Sequence, residues 1–369
     1  MIKPFQILVK PVAADCNLEC SYCFYRPVNK HFGGDSLRHR MSEDILETLI
    51  KDFLSYRFDI SVLCWQGGEP TLAGLPFFEK VIELEMKHGV RGQRIGNAFQ
   101  TNGLLINDDW ARLLSEYRFL VGLSLDGPED IHNEYRKSKG GKGSFNKVME
   151  AVEFMRRWKA SFSILTVVSK ANERRAKDVY RFFKKMKFKE FQFIPCIEIN
   201  PATGKIADYS ASPQGYAKFL KELYHEWIND NPSSVRIRTF DFFSLAVQGA
   251  SVDYCPFQNR CGSYLVVEHN GDVFPCDFFV KSEWNLGNIT EQSLASFFVL
   301  PKQQDFSHYK DKRDEKCRQC SWEGLCYGGC PKEWLTYVGK TATRSYYCKS
   351  YREFFTKLDH QLLRKKKIF

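Results

Sequence analysis

The sequence predicts an α/β protein in two parts: a parallel, barrel-like sheet of six strand-helix units, then a small cysteine-rich domain that ends in a helix. Strand-like runs alternate with helical segments from Phe5 to Cys196. These strands are apolar without alternation, which implies burial on both faces and hence parallel pairing. Past Gln214 the texture changes and cysteines reappear in clusters.

Phe5 to Val9 is a short β-prone run. Ser42 caps the next helix, where Glu43 and Asp44 suit the positive end and Ile45, Leu46, Leu49, Ile50, Phe53 and Leu54 form one apolar stripe. Ile60 to Trp65 is a continuous apolar strand, and Pro76 suits the first position of a helix through Lys87. Strands follow at Ile95 to Gln100, Leu120 to Leu125, Phe162 to Val168 and Glu190 to Cys196, with helices at Asp108 to Glu116, Ser144 to Trp158 and Arg174 to Lys185. Gly140-Gly141-Lys142-Gly143-Ser144 lacks the spacing of a phosphate loop and reads as a turn ending in a Ser144 cap. Beyond it come a helix near Gly215 to Asn229 and a basic strand at Val235 to Thr239. Leu265 to His269 and Asp272 to Pro275 flank Asn270-Gly271, the signal of a hairpin with a two-residue turn.

The 369 residues, 43% hydrophobic and 15% aromatic, can bury a large core and a second smaller one. Nothing near Met1 reads as a secretion signal, and no apolar run approaches the roughly 20 residues of a membrane span. A soluble, cytoplasmic protein with no membrane partner is expected. The net charge of +10 sits partly in Arg364-Lys365-Lys366-Lys367 and in Lys184, Lys185, Lys187 and Lys189. No stacking aromatics interleave a basic stripe, so no nucleic-acid partner is expected. Thirteen cysteines in a reducing compartment point to metal rather than disulfides.

Ligands of a barrel-like parallel sheet bind at the C-terminal ends of its strands. Here those ends read Gln66-Gly67-Gly68-Glu69-Pro70, Gln100-Thr101-Asn102-Gly103 and Ser124-Leu125-Asp126-Gly127-Pro128. Paired glycines allow a ligand to approach the backbone closely. Arg136, shortly after, can clamp a carboxylate with both arms of its guanidinium.

After the first strand, Cys16-Asn17-Leu18-Glu19-Cys20-Ser21-Tyr22-Cys23 packs three thiols into eight residues. Three ligands leave one metal position open for something that is not protein. The second half carries Cys255, Cys261, Cys276, Cys317, Cys320, Cys326, Cys330 and Cys348, enough for two four-thiolate sites. On spacing alone zinc and iron-sulfur serve equally there.

The three-cysteine loop resembles that of the radical S-adenosylmethionine (SAM) superfamily. The seven cysteines from Cys261 to Cys348 resemble the SPASM signature that follows such barrels. Gln66 to Gly74, Gln100 to Gly103, Phe191-Gln192-Phe193-Ile194 and Cys276-Asp277 are similar to the anaerobic sulfatase-maturating enzymes within that group, over about Lys10 to Tyr351. The resemblance implies a partial (β/α)6 TIM-like barrel at 1–233 and, at 234–369, an iron-sulfur SPASM domain with two auxiliary clusters and a C-terminal helix. It implies three 4Fe-4S clusters, SAM as source of a 5′-deoxyadenosyl radical, and oxidation of a sulfatase cysteine or serine to Cα-formylglycine.

By the same resemblance Cys16, Cys20 and Cys23 bind the SAM-cleaving cluster. Gly67, Gly68 and Glu69 receive the SAM ammonium, Ser124 and Arg136 hold its carboxylate or ribose, and Tyr22, Val167 and Ile197 flank the adenine. Cys255, Cys261, Cys276 and Cys330 bind one auxiliary cluster; Cys317, Cys320, Cys326 and Cys348 bind the other. Tyr25 and Gln66 line the substrate site, and Asp277 is the base that takes the proton from sulfur or oxygen. Cys64 and Cys196 are left as core thiols. The implied partners are an unfolded sulfatase carrying Cys/Ser-x-Pro/Ala-x-Arg and an electron donor such as flavodoxin or ferredoxin, and the chain is expected to be a monomer.

Two other functions fit parts of the pattern. A radical SAM enzyme of the same architecture could form a thioether or carbon-carbon crosslink in another peptide, although no leader-binding domain is expected before Phe5. An electron-transfer or zinc-stabilised binding protein would leave the glycine-rich strand ends unexplained.

Overall fold

The computed structural model describes residues 3–34, 38–230, 234–248, 250, 254–334, 336–337 and 340–365; the tail lysines Lys366 and Lys367 lie outside them. The strands are β1 (Gln6–Lys10), β2 (Ile60–Trp65), β3 (Arg94–Thr101), β4 (Leu120–Ser124), β5 (Phe162–Val168), β6 (Glu190–Pro195), β7 (Arg236–Ile237), β8 (Tyr264–Glu268), β9 (Asp272–Phe274) and β10 (Gly287–Asn288). The helices used below are α1 (Glu43–Ser55), α2 (Leu75–His88), α3 (Asp108–Glu116), α4 (Glu129–Tyr135), α5 (Phe145–Arg157), α6 (Ala176–Lys185), α7 (Pro213–Asn229), α8 (Arg238–Val247) and α9 (Cys348–Lys365). The alternation expected from the sequence is present, with α4 added where no helix was expected.

Two compact units share the chain: Met1–Ser124 with Lys137–Phe162 and Gly262–Ser307, and Leu125–Arg136 with Ser163–Cys261 and His308–Phe369. In the first unit the strand order is β10-β9-β8-β1-β2-β3-β4. β1 pairs in parallel with β2 on one side and with β8 on the other, Lys10 standing opposite Glu268. That pairing draws segment 262–307 into the first unit. Ser42 accepts from the Ile45 amide at 3.3 Å, and α1 buries Leu46, Leu49, Ile50, Phe53 and Leu54 as the stripe requires. Phe78 of α2 meets Trp65, Phe99 and Trp110 at ring distances of 5.4, 5.1 and 5.5 Å, so the core behind the strands is largely aromatic.

Three local expectations are corrected. The β8-β9 turn has three residues, His269 to Gly271, because Val267 pairs with Val273; Gly271 takes the left-handed conformation at φ +86°. The basic strand at 235–239 shrinks to β7, and Arg238 already opens α8, whose Phe240 and Phe243 are fully buried. Ser144 precedes α5 but its hydroxyl makes no capping bond.

In the second unit β5, β6 and β7 are parallel neighbours. Ser212 caps α7 by accepting from the Gly215 amide at 3.0 Å. Helix α9 packs on α7 through rings such as Tyr351 on Tyr216 and Phe354 on Tyr224. The Tyr347 hydroxyl donates to the Cys196 and Ala211 carbonyls at 2.6 and 3.1 Å.

The α2-β3 layer contains a buried carboxyl. Trp65 donates to Asn97 at 2.6 Å, and Asn97 donates to both oxygens of Glu85 at 3.0 and 3.2 Å. Burial outweighs these bonds and pushes the Glu85 carboxyl up to about 7. A folded-state value above the unfolded one gives stability that is full below the ordinary carboxyl range and is lost as pH rises through about 7. Glu85→Gln should therefore flatten the fall in denaturant stability between about pH 5 and 8. Parallel curves for both proteins would contradict it.

Candidate active site

The three-cysteine loop is held from beneath by backbone. Gly68 and Glu69 donate their amides to the Ala13 and Asp15 carbonyls, each at 2.8 Å. A Cβ on Gly67 would stand 2.7 Å from the Ala13 oxygen, and one on Gly68 only 1.9 Å from the Asp15 oxygen. Both glycines are thus required by the chain's own close approach. Asp15 in turn accepts from the His39 amide and ring at 2.8 and 2.9 Å, and Asn29 accepts from the Ala14 amide at 3.0 Å.

Glu69 is fully buried and clamps two strand ends. One carboxylate oxygen accepts from the Thr71 amide and hydroxyl and from the Thr101 hydroxyl, and the other accepts from the Asn102 amide at 2.7 Å. Asn102 then reaches the cysteine loop, donating to Asn17 Oδ1 at 2.8 Å and to the Cys16 sulfur at 3.6 Å. The Leu18 amide also points at that sulfur, at 3.4 Å. Burial, reinforced by Glu69, pushes the Cys16 thiol up to about 12, so a thiolate there requires a positive partner such as a metal cluster. Glu19 and Leu18 are pinned by backbone contacts to Lys137 and Ser138.

The other SAM residues implied by resemblance divide between the units. Tyr22 is buried near the loop, and Ser124 accepts from Gln100 at 3.1 Å, both in the first unit. Arg136, Val167 and Ile197 lie in the second. There Arg136 Nε donates to Asp126 at 3.0 Å and the Val167 amide donates to the same carboxylate, while Ile197 is buried.

Tyr25, Gln66 and Asp277, the three residues the resemblance implies at the substrate, meet at a residue the sequence reading passed over. Lys10, 1% exposed at the end of β1, donates to Gln66 Oε1 at 3.0 Å, lies 3.9 Å from Asp277 Oδ2, and stands 4.1 Å above the Tyr25 ring centre. Tyr25 donates its hydroxyl proton to Glu268, while Tyr264 donates to Asp277 Oδ1 at 2.9 Å and lies 3.4 Å from the Cys276 sulfur. Burial lowers the Lys10 pKa against the pull of Asp277 and Glu268. Burial likewise raises Glu268, to about 7, despite Tyr25 and Lys10. The signal that could have found them is a lysine and a glutamate each closing an apolar strand, at positions that pair.

In the second unit Cys317, Cys320, Cys326 and Cys348 line one cavity of about 340 Å³. Tyr327, Gly328 and Gly329, at φ +46°, +79° and +74°, wind the turn that leads from Cys326 to Cys330. Burial pushes the Cys317 and Cys326 thiols up to about 11 and 12. Among the described residues no three His, Cys, Asp or Glu side chains converge as a single ion would need. Cys255, Cys261 and Cys330 belong to the second unit and Cys276 to the first. Lys310, fully buried, donates to the Pro256 and Gln258 carbonyls and fixes the strand of chain between Cys255 and Cys261. Of the core thiols, Cys196 is buried and Cys64 partly so.

Residues 11–183 match the Radical SAM superfamily, and residues 255–321 match SPASM, an iron-sulfur cluster-binding domain. Fold and site thus define a radical SAM protein with an iron-sulfur domain appended. The chain is 40% identical to the cysteine-type anaerobic sulfatase-maturating enzyme of Clostridium perfringens, over 95% of each chain. It is 35% identical to the serine-type enzyme of Bacteroides thetaiotaomicron, over 96% of this chain and 89% of that one. The structure of native anSMEcpe with bound AdoMet and Cp18Cys peptide superposes with a TM-score of 0.89 at 40% identity over 98% of both chains. The chain belongs to the anaerobic sulfatase-maturating enzymes. Streptococcus suis SuiB, 17% identical with a TM-score of 0.66 over 94% of this chain and 77% of its own, shares the fold.

The glycine packing has a direct test. Gly68→Ala must displace the Asp15 carbonyl, so amide exchange across Ala13 to Cys20 should quicken by about tenfold or more in the metal-free protein, while the β8-β9 hairpin stays protected. An unchanged exchange pattern would show that the close approach does not hold the loop.

Proposed function

We propose that this enzyme oxidises a cysteine or serine of an unfolded sulfatase to Cα-formylglycine. The observation that carries the reading is the meeting of Tyr25, Gln66 and Asp277 around the buried Lys10 ammonium, in a chain of this family. When bound, SAM and the cluster on Cys16, Cys20 and Cys23 supply the 5′-deoxyadenosyl radical that removes a Cβ hydrogen. The chain's own groups do the rest. Gln66 and Tyr25 orient the side chain to be oxidised. Asp277 takes the sulfur or oxygen proton as the substrate radical gives up its second electron, which an auxiliary iron-sulfur cluster of this reading would accept; serine then yields the aldehyde directly, and cysteine yields a thioaldehyde that water hydrolyses to the aldehyde with release of hydrogen sulfide. Tyr264 and Lys10 bracket the two Asp277 oxygens, which holds the carboxylate in one orientation. Gly67 and Gly68 present backbone toward the SAM ammonium with Glu69 clamping the turn, while Ser124 and Arg136 hold its carboxylate or ribose and Tyr22, Val167 and Ile197 enclose the adenine.

The reading includes two auxiliary clusters, one on Cys255, Cys261, Cys276 and Cys330 and one on Cys317, Cys320, Cys326 and Cys348. For the second, four thiols spread around a cavity suit a cubane several Å across better than one zinc at ~2.3 Å from each sulfur. It also divides the work at 233/234, places the enzyme in the cytoplasm as a monomer, and draws electrons from flavodoxin or ferredoxin; no helix among the described residues is long and apolar enough to cross a membrane.

Anaerobic reconstitution should then give about twelve irons per chain, and alanine at Cys16, Cys20 and Cys23 should leave roughly eight. Stoichiometric zinc without iron in protein prepared without air would refute the cluster assignment. For the reaction, peptides carrying Cys-x-Pro-x-Arg or its serine counterpart are deuterated at the target Cβ. Deuterium should appear in 5′-deoxyadenosine, with mass losses of about 19 for the dideuterated cysteine and about 3 for the dideuterated serine (about 18 and about 2 without label), and an aldehyde that forms a hydrazone. Asp277→Asn should retain iron and SAM cleavage while product falls by about 10²-fold or more. A crosslinked peptide with no aldehyde would replace this function by the peptide-crosslinking one.

A further inference from the structure

Lys10 is an expensive residue at its position. Ile7 and Val9 of the same strand are fully buried, and an apolar side chain at Lys10 would avoid the desolvation of an ammonium. Its shortest polar contact is also not a charge pair: the Asp277 oxygen is 3.9 Å away, whereas the Gln66 carboxamide oxygen is at 3.0 Å. An ammonium has donors and no acceptor, so the group it faces must be the oxygen of that carboxamide and not its nitrogen. With Oε1 committed to Lys10, the Gln66 NH₂ is turned away from it. Glu268, paired with Lys10 in register and bonded to Tyr25, supplies the neighbouring negative charge that keeps the buried ammonium in place.

We infer that Lys10 is a positioning residue that fixes the Gln66 carboxamide in the orientation that presents its N–H donors to the substrate. The inference rests on the assignment of Gln66 to the substrate site. Gln66 then contributes a donor, complementing the acceptor oxygens of Asp277. A substrate carbonyl or side-chain sulfur or oxygen beside Gln66 is met by an N–H, and a flipped amide would meet it with a lone pair instead. Lys10 itself touches neither SAM nor substrate in this role.

The test uses anaerobically reconstituted holoenzyme with SAM and no reductant, titrated with a fluorescent peptide carrying Cys-x-Pro-x-Arg. Gln66→Glu keeps an acceptor for Lys10 while exchanging the donor for a second carboxylate oxygen, and Lys10→Met releases the amide. Each is expected to weaken peptide binding by about tenfold, near the upper value of one hydrogen bond. Gln66→Met should do the same, and adding Lys10→Met to it should weaken binding no further, because the two residues act in series. Under turnover Lys10→Met should release more 5′-deoxyadenosine per product than the wild type, whereas a merely structural loss lowers both together. Additive losses in the double variant, or wild-type peptide binding by Gln66→Glu, would overturn the inference. The second comparison decides even if Lys10→Met fails to fold. Wild-type binding by Gln66→Met would show instead that Gln66 lies outside the substrate site, a failure of the functional assignment that removes the inference with it.

Discussion

The pairing of β1 with strands on both sides is the constraint from which the site follows. β2 on one flank ends in Gln66, Gly67 and Gly68, and β8 on the other ends in Glu268 and leads through the hairpin to Cys276 and Asp277. β1 itself ends in Lys10 and runs directly into the cysteine loop. Because parallel strands end on the same side, the register that sets Val9 opposite Trp65 and Lys10 opposite Glu268 also sets which side chains share the space above them. A slip of one residue along β8 would turn Glu268 to the other face of the sheet and leave Lys10 buried without its counter-charge.

Two kinds of unfavourable burial are concentrated there. Thiols such as Cys16 are pushed far from ionisation, and the ammonium and carboxylate of Lys10 and Glu268 are each pulled toward neutrality. Neither adds to stability as it stands, since a buried pair is often replaceable by apolar residues with no loss. The aromatic packing of Phe78 with Trp65, Phe99 and Trp110 behind the strands, and the backbone bonds from Gly68 and Glu69, provide a scaffold firm enough to hold them. A metal cluster bound to this loop would displace the thiol protons.

What was legible in the sequence was chemistry at short range. The Cys16, Cys20 and Cys23 spacing, the α1 stripe and the Ser42 cap each act within a few residues, and helical or strand periodicity exposes them. Lys10 was not legible because it closes a short apolar run and reads as the first solvated residue after a strand. Its burial depends on β8, more than 250 residues away in sequence, and no periodicity encodes that partner. The paired glycines carry a packing constraint that their spacing does not reveal. Their spacing shows that something can approach the backbone, and the fold reveals that the Ala13 and Asp15 carbonyls do so. The β8-β9 turn failed by one residue because Asn-Gly permits either a two-residue turn or a three-residue one with glycine left-handed.

The same polar frame bears on cysteine and serine as targets. Cysteine-type and serine-type relatives stand at 40% and 35% identity, so similarity alone separates them little. A thiol ionises near pH 8.5, far below an alcohol, so Asp277 can remove its proton with less driving force; but sulfur is a weak hydrogen-bonding partner and gains little from Gln66 or Tyr25. A hydroxyl is harder to deprotonate and is correspondingly better held, donating to a carboxylate while accepting from an N–H. With Lys10 turning Gln66 into a donor and Tyr264 and Lys10 bracketing Asp277, what the serine substrate lacks in acidity is offset by tighter orientation. In the proposed site, the balance between the two side chains rests on how closely Gln66 and Asp277 are held.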